Sequence, residues 1–277
     1  MTTAEEKRLK NFAVDIRIQC INEISKVGVG HVGGCLSIVD TLACLYGGIM
    51  RIDPKNPGWD NRDRFILSKG HAGPALYAAL ALRGYFPMDM LNTLNQPPTN
   101  LPSHADKNRT PGVDMTTGSL GQGFSSAAGM ALAGKLKGEN HWIYTLLGDG
   151  ECQEGQVWET AMFSVQKKLS KLIALIDCNG KQLDGTIERV GGNLNYAAIF
   201  AAFGWHVIEV ANGHDVKEIW TAIQAAKERD DRPSVLILHT VKGKGWGYAE
   251  RLENNHNFTV SPQQAAEAAA EFEQQRV

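Results

Sequence analysis

Three features of this sequence predict an α/β fold, a parallel sheet flanked by helices on both faces. Five short runs rich in apolar and β-branched residues recur: Phe65–Leu67, Trp142–Leu147, Leu172–Cys178, His206–Val210 and Ser234–Thr240. Longer stretches of helical period separate them. Between the second and third runs, Trp158, Ala161, Met162, Val165 and Leu169 share one helical face. The chain has 277 residues, enough to bury a large core. Strands alternating with helices build βαβ units, and such units stack into parallel sheets.

The N-terminal segment reads as a helix. Thr3 is placed to cap it, with Glu6 at the third helical position completing a capping box. Phe12, Ile16, Cys20 and Ile24 then continue an apolar stripe among polar positions. A secretory signal is not expected, because no basic start leads into an unbroken apolar region. "GVGHVG", Gly28 to Gly33, matches the dinucleotide pattern G-x-G-x-x-G. That site needs a strand before the glycines and an acid at the end of the next strand. Here a long helix precedes them, and the later region reads "YGGIMRID". A dinucleotide site is therefore not expected. From Gln96 to Gly123 the chain is rich in Pro, Asn, Thr and Gly, a long loop of the kind that carries function. Near the end, Ser261 as cap, Pro262 and Gln264 open a helix through Ala265–Ala270. We divide the chain into a domain over residues 1–260 and a C-terminal helix over 261–277.

Charge and cysteine usage narrow the function classes. The formal net charge is −2 and no basic block stands out, so neither nucleic acid nor an anionic membrane is an expected partner. The apolar stretches are expected to fall short of a bilayer span. Cys20, Cys35, Cys44, Cys152 and Cys178 are odd in number and form no CxxC pair. Each is expected to be a buried small hydrophobe in a reducing cytoplasm, with no disulfide framework or zinc site.

"TLLGDGECQEG", Thr145 to Gly155, carries the chemistry. An apolar strand ends at Gly148, and Asp149 stands between two glycines. The next strand ends in "IDCNGKQLDG", which places Asn179 at the same sheet edge, 30 positions after Asp149. Ligands of open α/β sheets bind at that edge. Either motif alone reads as an ordinary Asp-Gly or Asn-Gly turn. Joined by one helix, a carboxylate and an amide oxygen suit a hard cation such as Mg²⁺, which keeps phosphate oxygens as further ligands. The glycines leave room for backbone amides to approach those phosphates.

This pairing resembles the diphosphate-binding signature of thiamin-diphosphate enzymes. More closely, the chain resembles the N-terminal half of transketolase over roughly residues 10 to 260. The motifs fall in family order: "GHVGG" at 30–34, "LSKGHAGPALYAAL" at 67–80, "LPSHAD" at 101–106, "TTGSLGQG" at 116–123, "GDGECQEGQVWE" at 148–159, "DCNGKQLDG" at 177–185 and "TVKGKG" at 240–245. The resemblance implies a thiamin-diphosphate-binding fold with thiamin diphosphate and Mg²⁺ as cofactors. It implies that Asp149, Asn179 and the backbone carbonyl of Lys181 bind the metal. The family has an apolar residue at the Lys181 position, a change a backbone ligand tolerates. Gly150 is implied to bring its amide to the diphosphate, and Gly118, Ser119 and Leu120 to pack against the cofactor's rings. Glu154 matches a carboxylate near the subunit interface that links two cofactor sites, and Glu159 a second acid of that network. Glu151 has no family role and is expected to be solvated.

The family also lines its substrate channel with histidines, which exchange protons near neutral pH and hydrogen-bond sugar hydroxyls. The flanking motifs assign His31 and His104 to the substrate side and His71 to the diphosphate. A further family histidine follows the last strand, and strict alignment puts Thr259 at its position. We expect His256, in "ENNHNFTV", to fill the role by a shifted loop. His141, His206, His214 and His239 are read as ordinary hydrogen-bonded residues.

In the family a second domain holds the aminopyrimidine, supplies the Glu that activates the cofactor, and grips the sugar phosphate. No counterpart of these residues is expected in this chain. The resemblance therefore implies one subunit of a split transketolase, with a second chain carrying the pyrimidine-binding domain and two copies of each assembling. The reaction would move a two-carbon ketol unit from a ketose phosphate to an aldose phosphate. Three alternatives stay open at this point: an enzyme of the same type for an uncommon sugar, the diphosphate-binding subunit of a 2-oxo-acid dehydrogenase, and a non-catalytic orphan half.

Overall fold

The computed structural model describes residues 1–277. Five strands form one parallel sheet: β1 (Arg64–Leu67), β2 (Ile143–Gly148), β3 (Leu172–Cys178), β4 (His206–Val210) and β5 (Ser234–His239), in the order β1-β2-β3-β5-β4. The five predicted runs coincide with these strands to within a residue at each end. Alternation along the strands explains the layering. Tyr144, Leu146, Ile173, Leu175, Leu236 and Leu238 point into one hydrophobic cluster, while Ile143, Leu147, Ala174, Ile176, Val235 and Ile237 point into another. Strands buried on both faces read as continuous apolar runs, and β2, β3 and β5 do, whereas β4 at the sheet edge leaves Glu209 exposed.

Helices cover both faces. On one side lie α1 (Thr3–Val27), α2 (Gly73–Leu82), α6 (Val216–Lys227) and α7 (Pro262–Glu273). On the other lie α3 (Gln122–Lys137), α4 (Gly155–Gln166) and α5 (Tyr196–Phe203). The cap of α1 is Thr2, not Thr3, and its capping box closes with Glu5. The run "TTAEE" offers the box in two adjacent registers, and the earlier one adds a residue to the helix. At the other terminus the expected box of Ser261 and Gln264 is present. Ala265, Ala268 and Phe272 of α7 are buried in the same cluster as Leu9, Ala13 and Ile16 of α1.

The glycine-rich stretch after α1 is not a dinucleotide turn. Val29–Gly30 pairs antiparallel with Phe258–Thr259. A Cβ on Gly33 would stand 2.2 Å from the Asn255 carbonyl oxygen, so this crossing of two backbones requires glycine. The segment Val32–Ile49 departs from the expectation that no apolar stretch reaches a bilayer span. Its mean hydropathy is 1.5, long and apolar enough for a span by composition, yet 94% of it is buried inside the fold. Four cysteines are buried and Cys178 half-buried, all free.

Glu23 of α1 is 1% exposed, and neither carboxyl oxygen has a hydrogen-bond partner. Burial, with Cys35 nearby, raises its pKa well above the usual carboxylate range. A raised folded pKa gives stability that is full below the unfolded value and lost as pH rises through the folded one. Glu23→Gln should therefore gain stability over the wild type progressively as pH rises above the ordinary carboxylate range, read by urea unfolding. Parallel pH profiles for the two proteins would refute this account.

Candidate active site

The predicted site residues converge at the carboxyl edge of the sheet. A cavity of about 420 Å³ is lined by His31, Lys69, His71, His104, Gly118, Leu120, Gly150, Asp149, Glu154, Asn179, Lys181, Lys242 and His256, among others. Ser119 is exposed and is not part of this lining, and Glu159 on α4 is exposed and lies outside it.

Asp177, the penultimate residue of β3, organises the floor. It is fully buried and accepts hydrogen bonds from Lys69 Nζ at 2.6 Å, Ser37 Oγ at 2.7 Å, Asn179 Nδ2 at 2.8 Å and the Thr240 hydroxyl. Burial alone would raise its carboxyl, but the Lys69 ammonium and the hydrogen bonds hold it below the ordinary range. The bond from Asn179 Nδ2 fixes that amide, so its oxygen faces away from Asp177. Asn179 Oδ1 accepts only a 3.1 Å bond from the Lys181 amide.

Asp149 stands opposite. Its two oxygens accept from the amides of Gly150 at 2.8 Å and Gly180 at 2.7 Å. Its place between two glycines at a strand end suggests an exposed loop. It is 3% exposed instead, because those two turns and Tyr196, whose hydroxyl donates to its carbonyl, close over it. Burial first, then Asp177, pushes its carboxyl up to about 6. A buried carboxylate without a cationic partner is suited to receive one. Lys181 turns its side chain away, Nζ donating to the Leu252 carbonyl at 3.0 Å. Its own carbonyl oxygen faces the site, where Lys242 Nζ sits on it at 3.0 Å. The apolar-to-lysine change therefore leaves the backbone oxygen in place.

These residues fit a hard cation. The chain holds no cluster of three or more His, Cys, Asp and Glu side chains that could bind a metal. The candidate donors are one carboxylate, one amide oxygen and one carbonyl oxygen, an all-oxygen set that suits Mg²⁺ and leaves positions for phosphate and water. The Lys242 ammonium already donates to one of the three oxygens, although burial and then Lys69 pull its pKa down to about 8. A Cβ on Gly150 would stand 2.9 Å from Gln182 Oε1, a buried oxygen without a partner, so glycine lets this turn lie close under Gln182 without displacing it.

Four histidines from separate segments meet above. Ring centroids of His31 lie 5.3 Å from His71, 5.8 Å from His104 and 5.3 Å from His256, and His71 and His256 are 5.0 Å apart. Burial lowers His31 and His71, and burial with Lys242 pushes His256 down to about 3. These three rings are neutral near pH 7, able to accept a proton or bond a hydroxyl. Thr259 instead pairs with Val29 in the short ladder, exposed. The structure thus places His256, not Thr259, in the cluster.

Sequence reasoning misjudges Glu151, whose expected place is in solvent. It is 2% exposed. It accepts from the Ser68 hydroxyl, from the Gly121 amide at 2.8 Å and from the Gly148 amide at 3.0 Å. One carboxylate thereby ties the ends of β1 and β2 to the start of α3. Sequence reasoning also misses Lys69 and Lys242, although both sit inside quoted motifs. Among the remaining histidines, His214 donates through Nδ1 to Asp40 at 2.9 Å and accepts the Val241 amide through Nε2 at 2.8 Å.

Comparison with known proteins gives this geometry its family. Residues 9–274 match the family described as transketolase, thiamine diphosphate binding domain. The 6-deoxy-6-sulfo-D-fructose transketolase subunit SqwG of Clostridium sp. (strain MSTE9) is 51% identical over 267 residues, covering 96% of this chain and 97% of that one. An apulose-4-phosphate transketolase subunit of Phocaeicola vulgatus is 37% identical, with 92% and 90% covered. A transketolase structure from Leishmania mexicana superposes with a TM-score of 0.90 at 30% identity. That match covers 96% of this chain but 41% of the other, so this chain spans about two fifths of the longer enzyme. On the family match and on relatives aligned nearly end to end, the chain belongs to the transketolase family, as its thiamine diphosphate-binding domain.

Proposed function

We propose that this chain is the diphosphate-binding subunit of a two-chain transketolase, holding thiamin diphosphate and Mg²⁺ against a second chain that carries the pyrimidine-binding domain. As a transketolase subunit it is part of a transferase. The observation that carries the finer reading is one cavity combining the Asp149, Asn179 and Lys181 oxygens with four converging histidines. Asp149, Asn179 and the Lys181 carbonyl would hold the metal, and the metal the diphosphate. Bound thiamin diphosphate would supply the carbanion chemistry of two-carbon transfer from a ketose phosphate to an aldose phosphate. The neutral rings of His31, His71 and His256, with His104 at the rim, would bond the substrate hydroxyls and exchange their protons.

The carboxylates in the cavity support the need for a partner. Asp149 and Glu151 are committed to backbone amides, and Glu154 is exposed. The acid that activates the cofactor is therefore expected from the second chain. The subunit naming of the two end-to-end relatives supports the same division. We further propose two copies of each chain and, from the five free cysteines, a cytoplasmic location. The family match sets aside the dehydrogenase reading. A relative at 51% identity named for 6-deoxy-6-sulfo-D-fructose favours a donor with an anionic tail, a phosphate or a sulfonate.

Assaying the chain alone and with its candidate partner tests the division. Ketol transfer with Mg²⁺ and cofactor should appear only with both chains. Robust turnover by the isolated chain would overturn the split, and no turnover with any partner would leave a non-catalytic half. For the metal, Asp149→Asn and Asn179→Ala should each weaken Mg²⁺-dependent cofactor binding by about tenfold or more in calorimetry. Binding equal to wild type in both would remove the metal from these residues. His256→Ala in the assembled enzyme should lower turnover by about 10²-fold. A loss below about threefold would place His256 outside the proton chemistry.

A further inference from the structure

Lys181 and His256 belong to one closed circuit of contacts. Lys181 Nζ donates to the Leu252 carbonyl at 3.0 Å. Further along the same loop, His256 Nδ1 accepts from Lys242 Nζ at 3.0 Å. Lys242, only 4% exposed, also donates to the Lys181 carbonyl at 3.0 Å. With Nδ1 as the acceptor, the proton of the neutral His256 ring sits on Nε2. Lys181 thus reaches His256 from two sides, through the backbone that precedes it and through the lysine at its ring.

The two ends of this strut differ in rigidity. Lys181 opens a short hairpin, pairing antiparallel with Thr186. The base of the hairpin is fixed twice: the Gly180 amide donates to Asp149 at 2.7 Å, and the Gly180 carbonyl accepts from the Ile187 amide at 2.9 Å. The loop at the other end is sparsely held. It runs from the short helix Gly247–Arg251 to the ladder at Phe258. Over Leu252–Asn257 the backbone has a single backbone partner, the Gly33 amide on the Asn255 carbonyl at 3.1 Å. Glu253 and Asn254 are exposed. Without Lys181, nothing ties the stretch between the helix and Asn255. The other two rings of the cluster need no such strut, because His71 lies in a helical turn and the His31 carbonyl accepts from the Cys35 amide at 3.1 Å.

Ordering a long side chain on one neutral oxygen adds little to stability, since the rotamer entropy lost is comparable to what one hydrogen bond returns. Holding a loop in place is a better use of it. We propose that the Lys181 side chain is a positioning residue for His256, fixing the Leu252 end of the loop so that the ring stays in the histidine cluster. The proposal rests on the reading of His256 above, as a group that exchanges substrate protons. The ring stands 5.3 Å from His31 and 5.0 Å from His71, centroid to centroid. A drift of about 1 Å from such an arrangement can cost about 10²-fold in rate.

Two measurements test this. The first is an NMR titration of the histidine rings in the full ligand-free chain, with His256 assigned through His256→Ala. In the wild type, burial and then Lys242 hold this ring down to about 3. In Lys181→Met the loosened ring should meet more water and less of Lys242, and its proton affinity should rise by about tenfold or more. The second is turnover of the chain assembled with its candidate partner. Lys181→Met should lower kcat by about tenfold with the KM for the donor within about threefold, and Lys181→Arg, which keeps a cationic donor, should recover most of the loss. The double variant Lys181→Met/His256→Ala should be no slower than His256→Ala alone, because both changes remove the same function. If His256→Ala costs its expected 10²-fold while Lys181→Met leaves both kcat and the ring's proton affinity at wild type, the positioning role is wrong and the reading of His256 stands. Losses that multiply in the double variant, or a rise in KM alone, would make Lys181 a separate substrate contact and overturn the role as well. If His256→Ala itself costs less than about threefold, the reading of His256 falls and this inference with it.

Discussion

The buried pair of Lys69 and Asp177 is the constraint on which the site depends. Asp177 ends the apolar part of β3, and Lys69 lies two residues past the end of β1, two strands away. A charge in the middle of an apolar sheet edge is tolerable only if every lone pair is used. Asp177 uses its own on Lys69, Ser37, Thr240 and Asn179. Four segments distant in sequence are thereby drawn to one point. Through Asn179 the pair sets which way a candidate metal ligand turns. Through Thr240 it sets where the Lys242 loop begins, and through Ser37 it anchors the helix end that follows His31.

Most of the fold was legible because the strands are buried on both faces. A strand in that position has no polar alternation to blur its ends, so Leu172–Cys178 could be read to the residue. The errors fell where two local solutions were nearly equal. Thr2 with Glu5 and Thr3 with Glu6 are the same capping box one residue apart. The span Val32–Ile49 is apolar because it is packed on all sides, not because it meets lipid, and composition cannot separate the two.

The site was legible where side-chain identity and spacing carry the chemistry. Asp149, Asn179 and the histidines have polar types that few other roles would place between glycines at a sheet edge. Glu151 was not legible, because burial of a carboxylate depends on what folds over it. The amides of Gly121 and Gly148 and the Ser68 hydroxyl come from three separate segments. Lys69 and Lys242 escaped for the same reason. A lysine in a glycine-rich loop is usually solvated, and nothing local announces a buried aspartate beside one of them and none beside the other.

That asymmetry between the two lysines has a physical meaning for a divided active site. Lys69 is neutralised within the chain and can stabilise it before any ligand arrives. Lys242, Asp149 and the unpartnered Gln182 oxygen are left with unmet electrostatic demands on the cavity side. Such groups weaken the ligand-free chain slightly and strengthen the loaded one, which couples cofactor binding to stability. The hydrophobic clusters on both faces of the sheet are complete within this chain, so its folding need not wait for a partner. The cofactor site carries no such completeness, and its rim at Ser119 and Glu154 is exposed. In the proposed two-chain reading, folding and catalysis are thus separable: the core lies within this chain, and the neutralisation of the site would come with the loaded assembly.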